Sequence, residues 1–184
     1  MTIVLSSGVS VPLIEQDSAF GRLVVGLDWD ANGNEGPSLD AFAFPLRETG
    51  KVQQGCDGVS YMNLSSTDGA LALRCGEICD DEFIVDFAKI PHEITRIVFV
   101  FSIFPTIGPE PETFKSIESV SIRILNPDSK DDIFRYDLDE DVGSSAAVMM
   151  GEIYRDGLIW NFKARGEGFL GGIDSICKEL DMVF

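Results

Sequence analysis

The chain has 184 residues, 45% of them hydrophobic, and its 31 Asp and Glu outweigh 14 Lys and Arg to leave a formal charge of −17. That length can bury a large core as a single domain over residues 1–184. The charge repels phosphate backbones and anionic lipid, and no stretch reaches the roughly 20 apolar residues of a membrane span, so neither nucleic acid nor membrane insertion is expected.

In chain order, the first expected strands are 23–27 and 41–44, followed by 70–73 and 83–87. Residues 96–104 are almost continuously apolar and β-branched or aromatic, the pattern of a central strand covered on both faces. In 119–125, Val120, Ile122 and Ile124 alternate with Ser119, Ser121 and Arg123, as expected of a strand with one buried face. Residues 133–138 and 148–155 follow. The last strand, 159–165, again alternates, with Trp160, Phe162 and Ala164 on one side. The set is too large for one flat sheet, so the expected fold is mainly β, a β-sandwich of two sheets. Helix signals are confined to short peripheral pieces: a turn at 113–117, and a C-terminal helix where Ile173, Ile176, Cys177 and Leu180 fall at helical spacing.

The most informative loop contains Asp30, Asn32 and Asn34 at alternate positions, with Gly33 and Gly36 to let it bend and Asp40 to close it. Ca²⁺ takes six to eight oxygen ligands, and side chains at every second position of a turning loop can converge on one ion. The loop is not an EF-hand, because its glycine comes one place late and no Glu occupies position twelve. The alternative is a polar turn between two strands. A second acidic cluster, Asp80, Asp81 and Glu82, stands directly before a strand; three adjacent carboxylates are either splayed into solvent or held around a cation. A third run, from Asp137 to Asp141, reads as the end of a strand and a capped turn.

Catalytic signals are sparse. Gly166, Gly168 and Gly171 match G-x-G-x-x-G, yet the chain reaches Phe184 without another strand to complete a βαβ unit, so they read as a tight strand-to-helix connection. The one histidine, His92, follows Pro91 in an expected turn, and no nucleophile elbow accompanies it. Cys56, Cys75, Cys79 and Cys177 are too dispersed for a disulfide scaffold and are expected as reduced thiols in a cytoplasmic protein.

Taken as an ordered set, the blocks Val24-Val25-Gly26-Leu27-Asp28-Trp29-Asp30, Leu39-Asp40-Ala41-Phe42-Ala43-Phe44, Asp80-Asp81-Glu82, Ile97-Val98-Phe99-Val100, Arg135-Tyr136-Asp137-Leu138 and Gly151-Glu152-Ile153-Tyr154-Arg155 resemble the TerD family, named for tellurium resistance. The stretch from Phe162 to Gly172 extends that resemblance over nearly the whole chain. It implies a β-sandwich with Ca²⁺ bound between loops at one end, and a non-enzymatic role in stress or tellurite resistance exercised through protein partners. Position by position, it puts Asp30 and Asp40 at the family's first acidic block and Asp80, Asp81 and Glu82 at its second. The first loop keeps only the last acid of the family's Asp-Phe-Asp-Leu-Asp, and the second loop is shorter than the family's. Pooling both groups at one end of the sandwich gives an expectation of one tight Ca²⁺ per chain. The alternative is a metal-free structural or interaction protein of the same fold.

Overall fold

A computed structural model of the chain describes residues 2–14, 21–30, 37–52, 58–76, 78–104 and 112–182. The first six strands are β1 (Ile3–Leu5), β2 (Ser10–Ile14), β3 (Arg22–Asp30), β4 (Leu39–Arg47), β5 (Leu71–Cys75) and β6 (Asp81–Asp86). They are followed by β7 (Ile94–Ile103), β8 (Ser119–Leu125), β9 (Asp132–Asp137), β10 (Ala147–Asp156), β11 (Ile159–Phe169) and the helix α1 (Gly172–Glu179). Six strands form one sheet in the order β1-β9-β8-β3-β6-β5, and five form the other in the order β2-β11-β10-β7-β4. Neighbours run antiparallel except β1 and β9, which are parallel.

The main core lies between the sheets. Leu23, Val25 and Leu27 of β3, Phe83 and Val85 of β6, and Ile122 and Ile124 of β8 meet Ile97, Phe99 and Phe101 of β7 and Phe162 of β11. Phe83 and Phe99 touch across the gap with ring centroids 5.6 Å apart.

The helix explains why β7 lacks alternation. Its inward residues pack in the main core, while Val98 and Val100 on the other face form a second cluster with Phe42, Phe44, Met149, the α1 residues Ile176 and Cys177, and Leu180 directly after the helix. β4 is divided the same way, Leu39, Ala41 and Ala43 inward and Phe42, Phe44 and Leu46 toward α1. A strand sheathed on both sides has no solvent face on which to place polar residues.

Every expected strand is present, and 119–125 coincides with β8. The turn expected at 113–117 is a 3₁₀ turn at Phe114–Ser116. Phe87, expected to end a strand, instead opens a 3₁₀ turn, Phe87–Lys89. β1 and β2 are additions to the expected set. β1 has only three residues, with Ile3 and Val4 exposed, and β2 contains Pro12, a residue tolerated in a sheet at an edge such as β2 occupies.

Candidate functional site

Several strand termini meet at one end of the sandwich. β3 ends with Asp30 opposite Ser119 of β8, β6 begins with Asp81 opposite Leu27, and β4 begins with Leu39 opposite Ile103 of β7. The backbone N–H of Glu118 donates to the carbonyl of Asp30 at 2.7 Å, fixing the end of β3. The sheets touch here through Trp29 and Phe101, edge-on with centroids 5.4 Å apart.

Phe83 and Val85 set the inward parity of β6, and Asp81 continues that side where the apolar core gives out. It is half-buried, and burial, then the charge of Asp80, then that of Asp40 push its carboxyl up to about 6. Asp40 is half-buried as well, and burial pushes its carboxyl up. Asp40 belongs to β4 of the other sheet, so its charge acts on Asp81 from across the sandwich.

Asp80 is exposed but held in place. Its N–H donates to Asp28 Oδ1 at 3.0 Å, and its own Oδ2 accepts from the Trp29 N–H at 2.9 Å. Asp30 is exposed at the end of β3. Asn32 and Asn34, with Gly33 and Gly36, lie outside the described residues.

Glu82 has the opposite parity and a different task. Its side chain is 1% exposed, and its Oε2 accepts from Arg74 Nε at 3.0 Å and Nη2 at 2.7 Å. Its Oε1 accepts from the N–H groups of Ile78 and Cys79 at 3.0 and 3.4 Å. Burial pushes this carboxyl up, but the Ile78 N–H, Arg74 and the Cys79 N–H outweigh burial and hold it below its usual range. Glu82, expected among the metal ligands, therefore serves as the post around which the second loop folds.

Cys79 completes that loop. Its thiol sits over Gly26, where a Cβ would come within 2.2 Å of the sulfur, so only a residue without a side chain leaves room. Burial and the nearby Asp28 charge push the thiol up to about 12, which makes it a packing group rather than a nucleophile.

The oxygens at this end fit a hard cation rather than zinc, since the groups gathered are carboxylates. Among the described residues no three His, Cys, Asp or Glu side chains form a group able to hold a metal ion. Asp40, Asp80 and Asp81 could thus supply only part of a coordination shell.

The family model described as the TerD domain matches residues 1–180. The chain belongs to the TerD family. It is 35% identical over 187 residues to the tellurium resistance protein TerD of Serratia marcescens, covering 97% of each chain. It is 31% identical over 188 residues to general stress protein 16U of Bacillus subtilis, again covering 97% of each. The crystal structure of a TerD homologue from Streptomyces coelicolor A3(2) shares the fold with a TM-score of 0.61 at 19% identity, over 81% of this chain and 90% of that one.

In this TerD chain the remaining motifs have local explanations. Asp137 pairs with Arg135 at 2.6 Å, Asp139 accepts from the Tyr136 hydroxyl at 2.9 Å, and Asp141 accepts from the Gly143 N–H at 3.2 Å. Gly166 and Gly168 lie within β11, and Gly171 directly precedes α1. Gly166 has a positive φ of 66° and lies against the Tyr136 hydroxyl, so its freedom serves packing. His92 is exposed in a turn. Cys75, Cys79 and Cys177 are free thiols, and Cys56 lies outside the described residues. No helix among the described residues is long and apolar enough to cross a membrane.

Asp28 and Arg123 are the residues that sequence reasoning passes over. Arg123 Nη1 donates to Asp28 Oδ2 at 3.0 Å and its Nε donates to Asp132 Oδ1 at 2.8 Å. The one signal in the sequence is that Arg123 is the charged member of the polar side of β8, whose other polar residues are Ser119 and Ser121.

Proposed function

We propose that this TerD protein is a Ca²⁺-binding, non-enzymatic stress-response module of the tellurium-resistance type, acting in the cytoplasm through protein partners. The observation that carries the reading is Asp81, a half-buried carboxyl crowded by Asp80 and by Asp40 from the other sheet. Like charges brought together at a sandwich end, in a chain whose sequence between β3 and β4 is rich in Asn and Gly, favour a bound divalent cation over none. The proposed ligands are Asp30, Asn32, Asn34, Asp40, Asp80 and Asp81, with Glu82 holding the loop from outside the shell. A bound Ca²⁺ would supply charge neutralisation and a cross-link between loops. The tellurium-resistance and general stress names of the relatives support the biological setting.

A metal-free interaction protein is the second reading, favoured by the engagement of Glu82 with Arg74 and by the lack of a closed acidic trio among the described residues. Thermal unfolding separates the two. Ca²⁺ at about one hundred times its dissociation constant should add roughly 2.7 kcal/mol to the stability seen in chelator. Superimposable melting curves in excess Ca²⁺ and in chelator would remove the metal reading.

A further inference from the structure

We infer that Arg123 is a positioning residue for the acidic end: through Asp28 it fixes the orientation of Asp80, and with it the oxygens offered to a cation. The inference rests on the proposed Ca²⁺ reading for its consequence, although its geometry stands without a metal. Gly26 of β3 lies opposite both Arg123 of β8 and Glu82 of β6, so these residues share one row across the outer face of the six-stranded sheet. Because Gly26 projects no side chain, Cys79 settles into the gap and the second loop folds down onto the sheet.

Arg123 borders that gap. Its side chain is 17% exposed, and Nη1 reaches Asp28 Oδ2 at 3.0 Å and the Cys79 thiol at 3.4 Å, while Nε is anchored on Asp132 at 2.8 Å. Asp28 thus has one oxygen held by the guanidinium and the other accepting the Asp80 N–H. Asp80 answers by accepting the Trp29 N–H, which closes a reciprocal pair between loop and strand. A planar fork with donors in fixed directions can hold Asp28 and Asp132 together, as a point-charge ammonium cannot. Groups that orient metal ligands without touching the metal typically change affinity by about ten- to one-hundredfold when altered.

The sign of the effect separates positioning from mere proximity. A bystander cation repels Ca²⁺, so removing it would tighten binding, whereas removing a positioning residue weakens it. Arg123→Gln should therefore bind Ca²⁺ about tenfold more weakly in calorimetric titration, and Arg123→Lys, which keeps the charge and loses the fork, should weaken it as well. Without Ca²⁺, amide hydrogen exchange at Trp29 and Asp80 should accelerate about tenfold in Arg123→Lys, while that of core amides such as Phe99 stays unchanged. If Arg123→Lys unfolds, Asp132→Asn releases only the far anchor. Because it also removes a negative charge, it is read by exchange without Ca²⁺, where the Trp29 and Asp80 amides should accelerate while Phe99 does not, and wild-type exchange there would equally overturn the inference. Tighter binding by Arg123→Gln, or wild-type affinity and wild-type exchange in Arg123→Lys, would overturn the inference. If the wild-type chain shows no affinity for Ca²⁺, the proposed function falls, and the exchange rates alone decide whether Arg123 holds the loop.

Discussion

At the start of β6 two neighbouring carboxylates meet opposite surroundings. Asp81 continues the inward side, where burial and the charges of Asp80 and Asp40 push it up to about 6. Glu82, one residue on, faces outward, where two backbone N–H groups and Arg74 hold it down. The same element, the same charge and adjacent positions give a group short of positive partners and a group saturated with them. Strand parity, rather than acidic composition, decides which carboxylate could serve a cation and which serves the fold.

Removing the saturated acid should cost most. Glu82→Ala leaves two loop N–H groups and Arg74 without their acceptor, and we expect a loss of about 3 kcal/mol in urea unfolding, tempered by the partial exposure of Arg74. A loss below about 0.5 kcal/mol would make Glu82 an ordinary surface acid.

The crowded acid should behave in the opposite sense. In chelator at pH 7, Asp81→Asn relieves repulsion and should stabilise the chain by about 1 kcal/mol after allowance for solvent screening. The two acids also predict opposite limbs of a pH profile. The folded state holds the Asp81 proton more tightly than the unfolded chain, whose ordinary value is 3.8, so its penalty is absent below that value and complete above about 6. Stability in chelator should therefore rise as pH falls from 7 to 5. Glu82 is depressed in the folded state; its contribution is complete above the ordinary 4.5 and lost as pH falls through the lower folded value. Asp81→Asn should flatten the upper limb and Glu82→Gln the lower one in melting temperatures measured against pH. The smallest effect belongs to the third acidic run: Asp137 pairs with Arg135 at an exposed site, so Asp137→Asn should change stability by less than about 0.5 kcal/mol and leave Ca²⁺ affinity unchanged.

The strands are legible because their hydrophobic pattern is locally written. Val120, Ile122 and Ile124 mark an inward face without knowledge of any partner, and the unbroken apolar run of β7 announces cover on both sides. β1 and β2 are hidden for the converse reason, since a three-residue edge strand and an edge strand broken by Pro12 carry little pattern. At the site, the acids are legible as residue types but not as faces. Telling Asp81 from Glu82 requires the starting point of β6, and seeing Arg74 opposite Glu82 requires the β5–β6 register. Asp28 is further out of reach, because its ties to Arg123 and Asp80 depend on pairings between distant segments.

Calorimetric titration with Ca²⁺ of the wild-type chain beside Asp81→Asn and Glu82→Gln tests the division of labour most directly. The account predicts one tight ion per wild-type chain, severe weakening in Asp81→Asn, and binding retained in Glu82→Gln. Absence of binding in the wild type, two equally tight ions, or a Glu82→Gln chain as impaired as Asp81→Asn would contradict it.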